Sequence, residues 1–186
     1  IGLCLVGSEM CIRDRYTADH HEDALSVMEA ELSMHRRHGA SQHSILTSQG
    51  NLAITYEQLE RFELALQMKR DVYSGRLKLS GKEDYDTIRE SNNYADTLVR
   101  LERFEEAKSV LRKMMPAARR VLGGNHELTL KMRGNYAGAL YTDPSATLDD
   151  LRKAVTTLEE TEETARRVLG AAPVSYTHLT LPTNCV

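Results

Sequence analysis

Asn93-Tyr94-Ala95-Asp96-Thr97-Leu98-Val99-Arg100-Leu101-Glu102-Arg103-Phe104-Glu105-Glu106-Ala107 is the stretch from which the fold is read. Its parts recur at a fixed step. Asn51-Leu52-Ala53, Asn93-Tyr94-Ala95 and Asn135-Tyr136-Ala137 are spaced 42 residues apart, and Leu59-Glu60-Arg61-Phe62-Glu63 precedes Leu101-Glu102-Arg103-Phe104-Glu105 by the same interval. Gly39, Gly81 and Gly123 keep that step, whereas Gly170 falls 47 residues after Gly123, so five extra residues enter the last unit, at Thr142-Asp143-Pro144-Ser145-Ala146. Self-similarity at such a period marks a stacked repeat array.

Outward from this stretch, each unit reads as two helices. Phe104, Ala107, Leu111, Met114, Ala118 and Val121 step by threes and fours, as do Leu148, Leu151, Val155, Leu158, Ala165 and Leu169; each set is one stripe on a helix. Shorter stripes precede them at Ile45, Leu52, Tyr56 and Leu59, and at Ile88, Ala95, Leu98 and Leu101. Gly39, Gly81, Gly123 and Gly170 stand where the longer helices should stop, a place suited to left-handed backbone. The pattern predicts an all-α chain of seven helices over 18–38, 43–58, 62–79, 85–100, 104–122, 127–141 and 147–169. These make three antiparallel pairs preceded by the second helix of a truncated pair. Small residues predict how the pairs close: Ala53 faces Ala65, Ala95 faces Ala107, and Ala137 faces Ala154, one alanine on each helix letting the backbones approach. A larger side chain at Ala95 would overpack the crossing by about 1–3 kcal/mol. Pro116 lies inside a stripe and is expected to kink or split its helix, since an interior proline costs about 3 kcal/mol.

Composition narrows the class. Of 186 residues 27% are charged and 41% apolar, with a formal net charge of −3. This is an ordinary globular balance, without the basic surplus that nucleic acid would demand. No apolar run is long enough to span a membrane.

Both ends are expected to be foreign to the repeat. Met10-Cys11-Ile12-Arg13-Asp14 back-translates as ATG TGT ATA AGA GAC, and Val174-Ser175-Tyr176-Thr177-His178 as GTC TCT TAT ACA CAT. Both sets of codons lie in one DNA word read from opposite strands, which resembles the transposase end of a sequencing-library adapter. Residues 1–15 and 173–186 are therefore set aside as adapter-derived, leaving 16–172 as the repeat array. All three cysteines, Cys4, Cys11 and Cys185, fall in those ends. The remainder carries no thiol, which fits a reducing compartment and a cytoplasmic location. Ile1–Val6 is not read as a signal peptide.

The pattern N-[LY]-A-x5-L-x-R-F-E-x-A, followed by Arg120-Val121-Leu122-Gly123-Gly124-Asn125-His126, resembles tetratricopeptide repeats. The 42-residue unit is similar to those of kinesin light chains, although Glu127 follows His126 where those units commonly carry proline, and the third unit lacks the Arg-Phe-Glu element. The resemblance implies an α-solenoid with a right-handed superhelix, and a concave surface lined by the first helix of each pair that binds extended segments of partner proteins. Carried over by position, that surface would present Thr47, Gly50, Asn51 and Ile54, then Arg89, Asn92, Asn93 and Asp96, then Lys131, Gly134, Asn135 and Gly138.

Two uses of the asparagines remain open. A carboxamide both donates and accepts, so Asn51, Asn93 and Asn135 could hold the backbone of an extended peptide. Arg89 and Lys131, one turn before an asparagine, would then attract acidic side chains or a C-terminal carboxylate. Alternatively, each asparagine bonds to the neighbouring helix pair and orders the stack. His20, His21, His35, His38 and His43 crowd the first helix, but no second cluster completes a metal site, and they are expected to be solvated. No phosphate-binding loop, nucleophile elbow or paired thiol occurs, so neither enzyme activity nor a cofactor is expected. The leading expectation is a monomeric protein-interaction module for an acidic peptide partner. The alternatives are a structural or regulatory segment packing within a larger protein, and a self-associating scaffold.

Overall fold

A computed structural model describes residues 21–169. The adapter-like ends, His20 and Gly170 lie outside the described residues. Seven helices run through them: α1 (His21–Arg37), α2 (Gln42–Gln58), α3 (Phe62–Ser80), α4 (Tyr85–Arg100), α5 (Phe104–Leu122), α6 (Glu127–Tyr141) and α7 (Leu148–Leu169). They fall into two compact units divided after Gly81. In the first, α2 packs against both α1 and α3. In the second, α4 pairs with α5 and α6 with α7, while α6 also lies against α5 and α4. Among the described residues no helix is long and apolar enough to cross a membrane.

Local chemistry fixes the helix starts. The side chains of Ser41 and Asp84 accept from the N–H groups of Ser44 and Thr87, at 3.1 and 3.0 Å. His126 caps α6 through Nδ1, which accepts from the Leu128 N–H at 3.1 Å. Thr147 and Asp150 bond to each other's backbone N–H across the first turn of α7, a reciprocal capping box.

The repeated Leu-Glu-Arg-Phe element makes the tight turn within a pair. Arg61 N–H donates to the Tyr56 carbonyl and Arg103 N–H to that of Leu98, closing both helix ends in the same way. Glu60 and Glu102 sit at φ of 57° and 58°, left-handed backbone that non-glycine residues avoid. Between pairs the glycines differ from expectation. Gly39 (φ 65°) ends α1, whereas Gly81 and Gly123 combine positive φ with ψ of 178° and 158°. That region is not left-handed helix but extended backbone open essentially to glycine alone.

Packing follows the alanines. Ala53, Ala65, Ala95, Ala107, Ala137 and Ala154 have no exposed surface. Ala137, Leu140 and Ala154 form one core cluster between α6 and α7, and Leu25, Met28, Leu32 and Leu52 form another between α1 and α2.

Three expectations are corrected. Helix α5 is not split at Pro116 but continues through it as one helix. The ring lies on the exposed side, where water can serve the Arg112 carbonyl that loses its helical donor. In α7 only part of the predicted stripe is buried: Leu148 is 71% exposed and Val155 53%, while Leu158 and Ala165 of the stripe turn inward with Ala154 and Thr161. Small residues let α7 approach α6, with Leu158 packed against Ala137, Leu140 and Ala154, while Leu148, Leu151 and Val155 face away. Finally, His35 is not simply solvated, since its Nδ1 lies 3.0 Å from Ser48 Oγ and ties α1 to α2.

Candidate functional site

The first helices of the pairs carry the residues singled out in the sequence, and the second unit holds most of them. Helices α4 and α6 lie side by side, and Asn135 Nδ2 donates to Asn92 Oδ1 at 3.1 Å across the gap. Asn92 is buried and Asn135 half-buried. Asn93, at the repeat position of Asn135, donates through Nδ2 to Glu90 Oε2 at 3.1 Å. Glu90 is buried and holds both neighbours, because its Oε1 accepts from Nε and Nη2 of Arg89 at 3.0 and 2.9 Å.

Arg89 is therefore already matched. Asp86 pairs with it from one turn earlier at 3.0 Å, and its guanidinium packs on the Tyr85 ring. Burial pulls the pKa of Arg89 down, but the hydrogen bond and charge of Glu90, with Asp86, outweigh it and raise the value. Lys131 pairs with Glu127 at 2.7 Å, and this hydrogen bond, reinforced by the charge, lowers the Glu127 pKa. Asp96 pairs with Arg100 at 3.3 Å. Each charge on this face has an opposite charge on its own helix. Gly134 and Gly138 are buried beside Asn135.

In the first unit, Thr47, Asn51 and Ile54 are exposed along α2, with Gly50 between them. Thr47 Oγ1 accepts from Nη2 of Arg76 at 2.7 Å. That guanidinium belongs to one of the most deeply buried side chains of the unit. Among the described residues no group of three or more histidine, cysteine, aspartate or glutamate side chains could hold a metal ion.

Two features escaped the sequence reading. Glu90 shapes the α4 face although it was not singled out; its place next to Arg89 and three residues before Asn93 was the available signal. Arg112, Arg119 and Arg120 share one stripe of α5, at spacings of seven and eight, and line a cleft with side chains of α6 and α7.

Residues 92–127 match a family model for the tetratricopeptide repeat. The fold is of the tetratricopeptide type. Two crystal structures of a kinesin light chain-type protein with nearly identical TPR-like repeats from Podosopora anserina, one of them a point variant, resemble the chain. Their TM-scores are 0.74 and 0.73, at 17% identity, covering 89% and 90% of this chain and 76% and 77% of theirs. BtubC (BKLC) from P. vanneervenii aligns with a TM-score of 0.66 at 12% identity, over 100% of this chain and 89% of its own. No curated protein sequence matches. The repeat match spans the end of α4, all of α5 and the turn into α6, and so includes Asn92, Asn93, the Glu102 turn and the His126 cap.

Proposed function

We propose that the chain is a protein-interaction module that holds an extended peptide along its first helices, with Asn93 and Asn135 bonding the peptide backbone. Asn51 holds the same repeat position in the first unit. The observation that carries this reading is the side-by-side packing of α4 and α6, joined by the Asn92–Asn135 bond. It supports placing carboxamides of successive repeats on neighbouring helices, where each keeps unused donor and acceptor capacity. Tetratricopeptide arrays generally serve protein–protein contact rather than catalysis.

Peptides of acidic character suit this face best. Arg89 and Lys131 are half exposed, and a peptide carboxylate can replace Asp86 or Glu127 as partner. Asp96, paired with Arg100, would turn away a second acidic residue beyond them. The internal pairs make the exchange selective rather than strong, because exposed pairs of this kind contribute about 0–1 kcal/mol each.

Selection from a displayed random-peptide library, followed by titration of the winning peptides, tests the reading. Acidic sequences should emerge, and Asn93→Ala should weaken them up to about tenfold and Arg89→Gln up to about fivefold, with helical signal and melting temperature kept. Arg89→Gln is preferred to Arg89→Glu because a carboxylate there would crowd Asp86 and Glu90. Parent-like binding by both variants would sink the assignment.

A further inference from the structure

The opposite side of α6 carries a different chemistry. Arg133 and Tyr136 lie about half a helical circumference from Lys131, Asn135 and Gly138. There, between α5 and α7, a cleft of about 640 Å³ opens over α6, within the roughly 300–1,000 Å³ typical of small-molecule sites. Five cations, Arg112, Arg119, Arg120, Arg133 and Lys153, line it against one carboxylate, Glu160.

These cations are unevenly satisfied. Arg120 reaches Glu83 at 2.8 Å and Arg133 reaches Glu160 at 2.7 Å. The buried Nε of Arg133 finds no acceptor among the described residues. Arg112, Arg119 and Lys153 pair with no carboxylate there; Lys153 lies over the Tyr136 ring, 5.3 Å from its centre, and donates to the phenol oxygen at 3.3 Å. In a chain of net charge −3 this is a local concentration of like charge, and such a concave positive site focuses its field on anions.

We propose that this cleft binds a compact, multiply phosphorylated ligand, either free in solution or presented as a lipid headgroup. Four of the five cations are arginines, whose planar forks match phosphate oxygens two at a time. Arg112 and Arg119 are separated by about 10 Å along α5, a span that suits several phosphates on one small scaffold better than a lone phosphate. The site is one gap bounded by three helices, not a run across repeats, so it suits a compact anion rather than an extended strand. Leu111, Met115 and Tyr136 supply apolar walls for the scaffold. The inference does not depend on the asparagine face.

Calorimetric titration of the full chain with inositol hexakisphosphate tests it, alongside sedimentation with phosphatidylcholine vesicles with and without a phosphatidylinositol bisphosphate. Expected is one site, weakened about tenfold or more by Arg119→Glu or Arg112→Glu and tightened by Glu160→Gln, which removes the repelling carboxylate. Arg166→Ala, on α7 but outside the cleft, should bind like the parent. Binding of the free compound alone assigns the ligand to solution, and vesicle recruitment assigns it to a headgroup; both support a phosphate site. Parent-like affinity of folded Arg119→Glu and Arg112→Glu, weakening by Glu160→Gln, binding of neither probe, or equal affinity for hexaglutamate would each overturn it.

Discussion

At the scale of single residues, the pair that anchors the five-residue insertion is the most informative. Asp143 and Lys108 are both buried, 2.8 Å apart, and Asp143 Oδ1 also accepts from the N–H and hydroxyl of Ser145. Hydrogen bonds from Lys108 and Ser145, outweighing the effect of burial, hold the Asp143 pKa at about 2, down from 3.8. For Lys108 burial acts downward, but bonds to Asp143 and Glu105 prevail and raise its pKa. A carboxylate with a depressed folded pKa stabilises above its unfolded value and loses that contribution as pH falls through the folded one. The pair should therefore support the fold fully at neutral pH and fade between about pH 4 and pH 2. At pH 7, Asp143→Asn should melt below the parent, because Lys108 keeps its burial and loses one of its two counter-charges, Glu105 being the one that remains. The difference in melting temperature should close as pH approaches 2. A gap that stays constant with pH would show that shape, not charge, is what Asp143 supplies.

At the scale of elements, helices and pairing were legible and faces only partly so. Every predicted helix is found, and the ends that fall inside the described residues agree within one residue, because periodic apolar spacing and terminal glycines are local signals. Which stripe would be buried in α7 was not legible. Leu148, Leu151 and Val155 have the right spacing, but the alanines and Thr161 decide how closely α7 can approach α6, and size is a property of the pair rather than of one helix. The peptide face was half legible, for asparagine positions follow the repeat, whereas capture of Arg89 and Asn93 by Glu90 is a rotamer outcome. The turn of each pair was the least visible feature. Nothing in Leu-Glu-Arg-Phe announces a left-handed glutamate, yet Glu60 and Glu102 both adopt it. That conformation costs a non-glycine residue about 1–2 kcal/mol, against about 0.4–1 kcal/mol of added unfolded-chain freedom when glycine is introduced. Glu102→Gly should thus raise stability by about 0.5–1 kcal/mol in denaturant melts. Lys113→Gly, at an exposed position in the middle of α5, should lower it by about 1 kcal/mol. The opposite order would mean that the turn is unstrained.

At the scale of the whole molecule, a repeat array buries each apolar face against its neighbours, so a helix without one leaves that face in water. The described chain shows this at α7 rather than at α1. Leu25, Met28 and Leu32 of α1 are buried with Leu52 of α2, whereas Leu148, Leu151, Val155 and Val168 are all exposed. The apolar side of α1 is covered chiefly by α2, with Met68 of α3 packed against the same cluster. An exposed apolar face contributes nothing to folding but invites association, since its burial between molecules is worth about 25 cal/mol per Å². Replacing Leu148 and Val155 by Glu and Leu151 by Lys should therefore leave the melting temperature nearly unchanged, as surface substitutions usually fall within about 0.5 kcal/mol. The same variant should sediment as a monomer at concentrations where the parent begins to associate. A large fall in melting temperature would mean that this face is packed within the folded chain, and equal association by parent and variant would place any self-contact elsewhere.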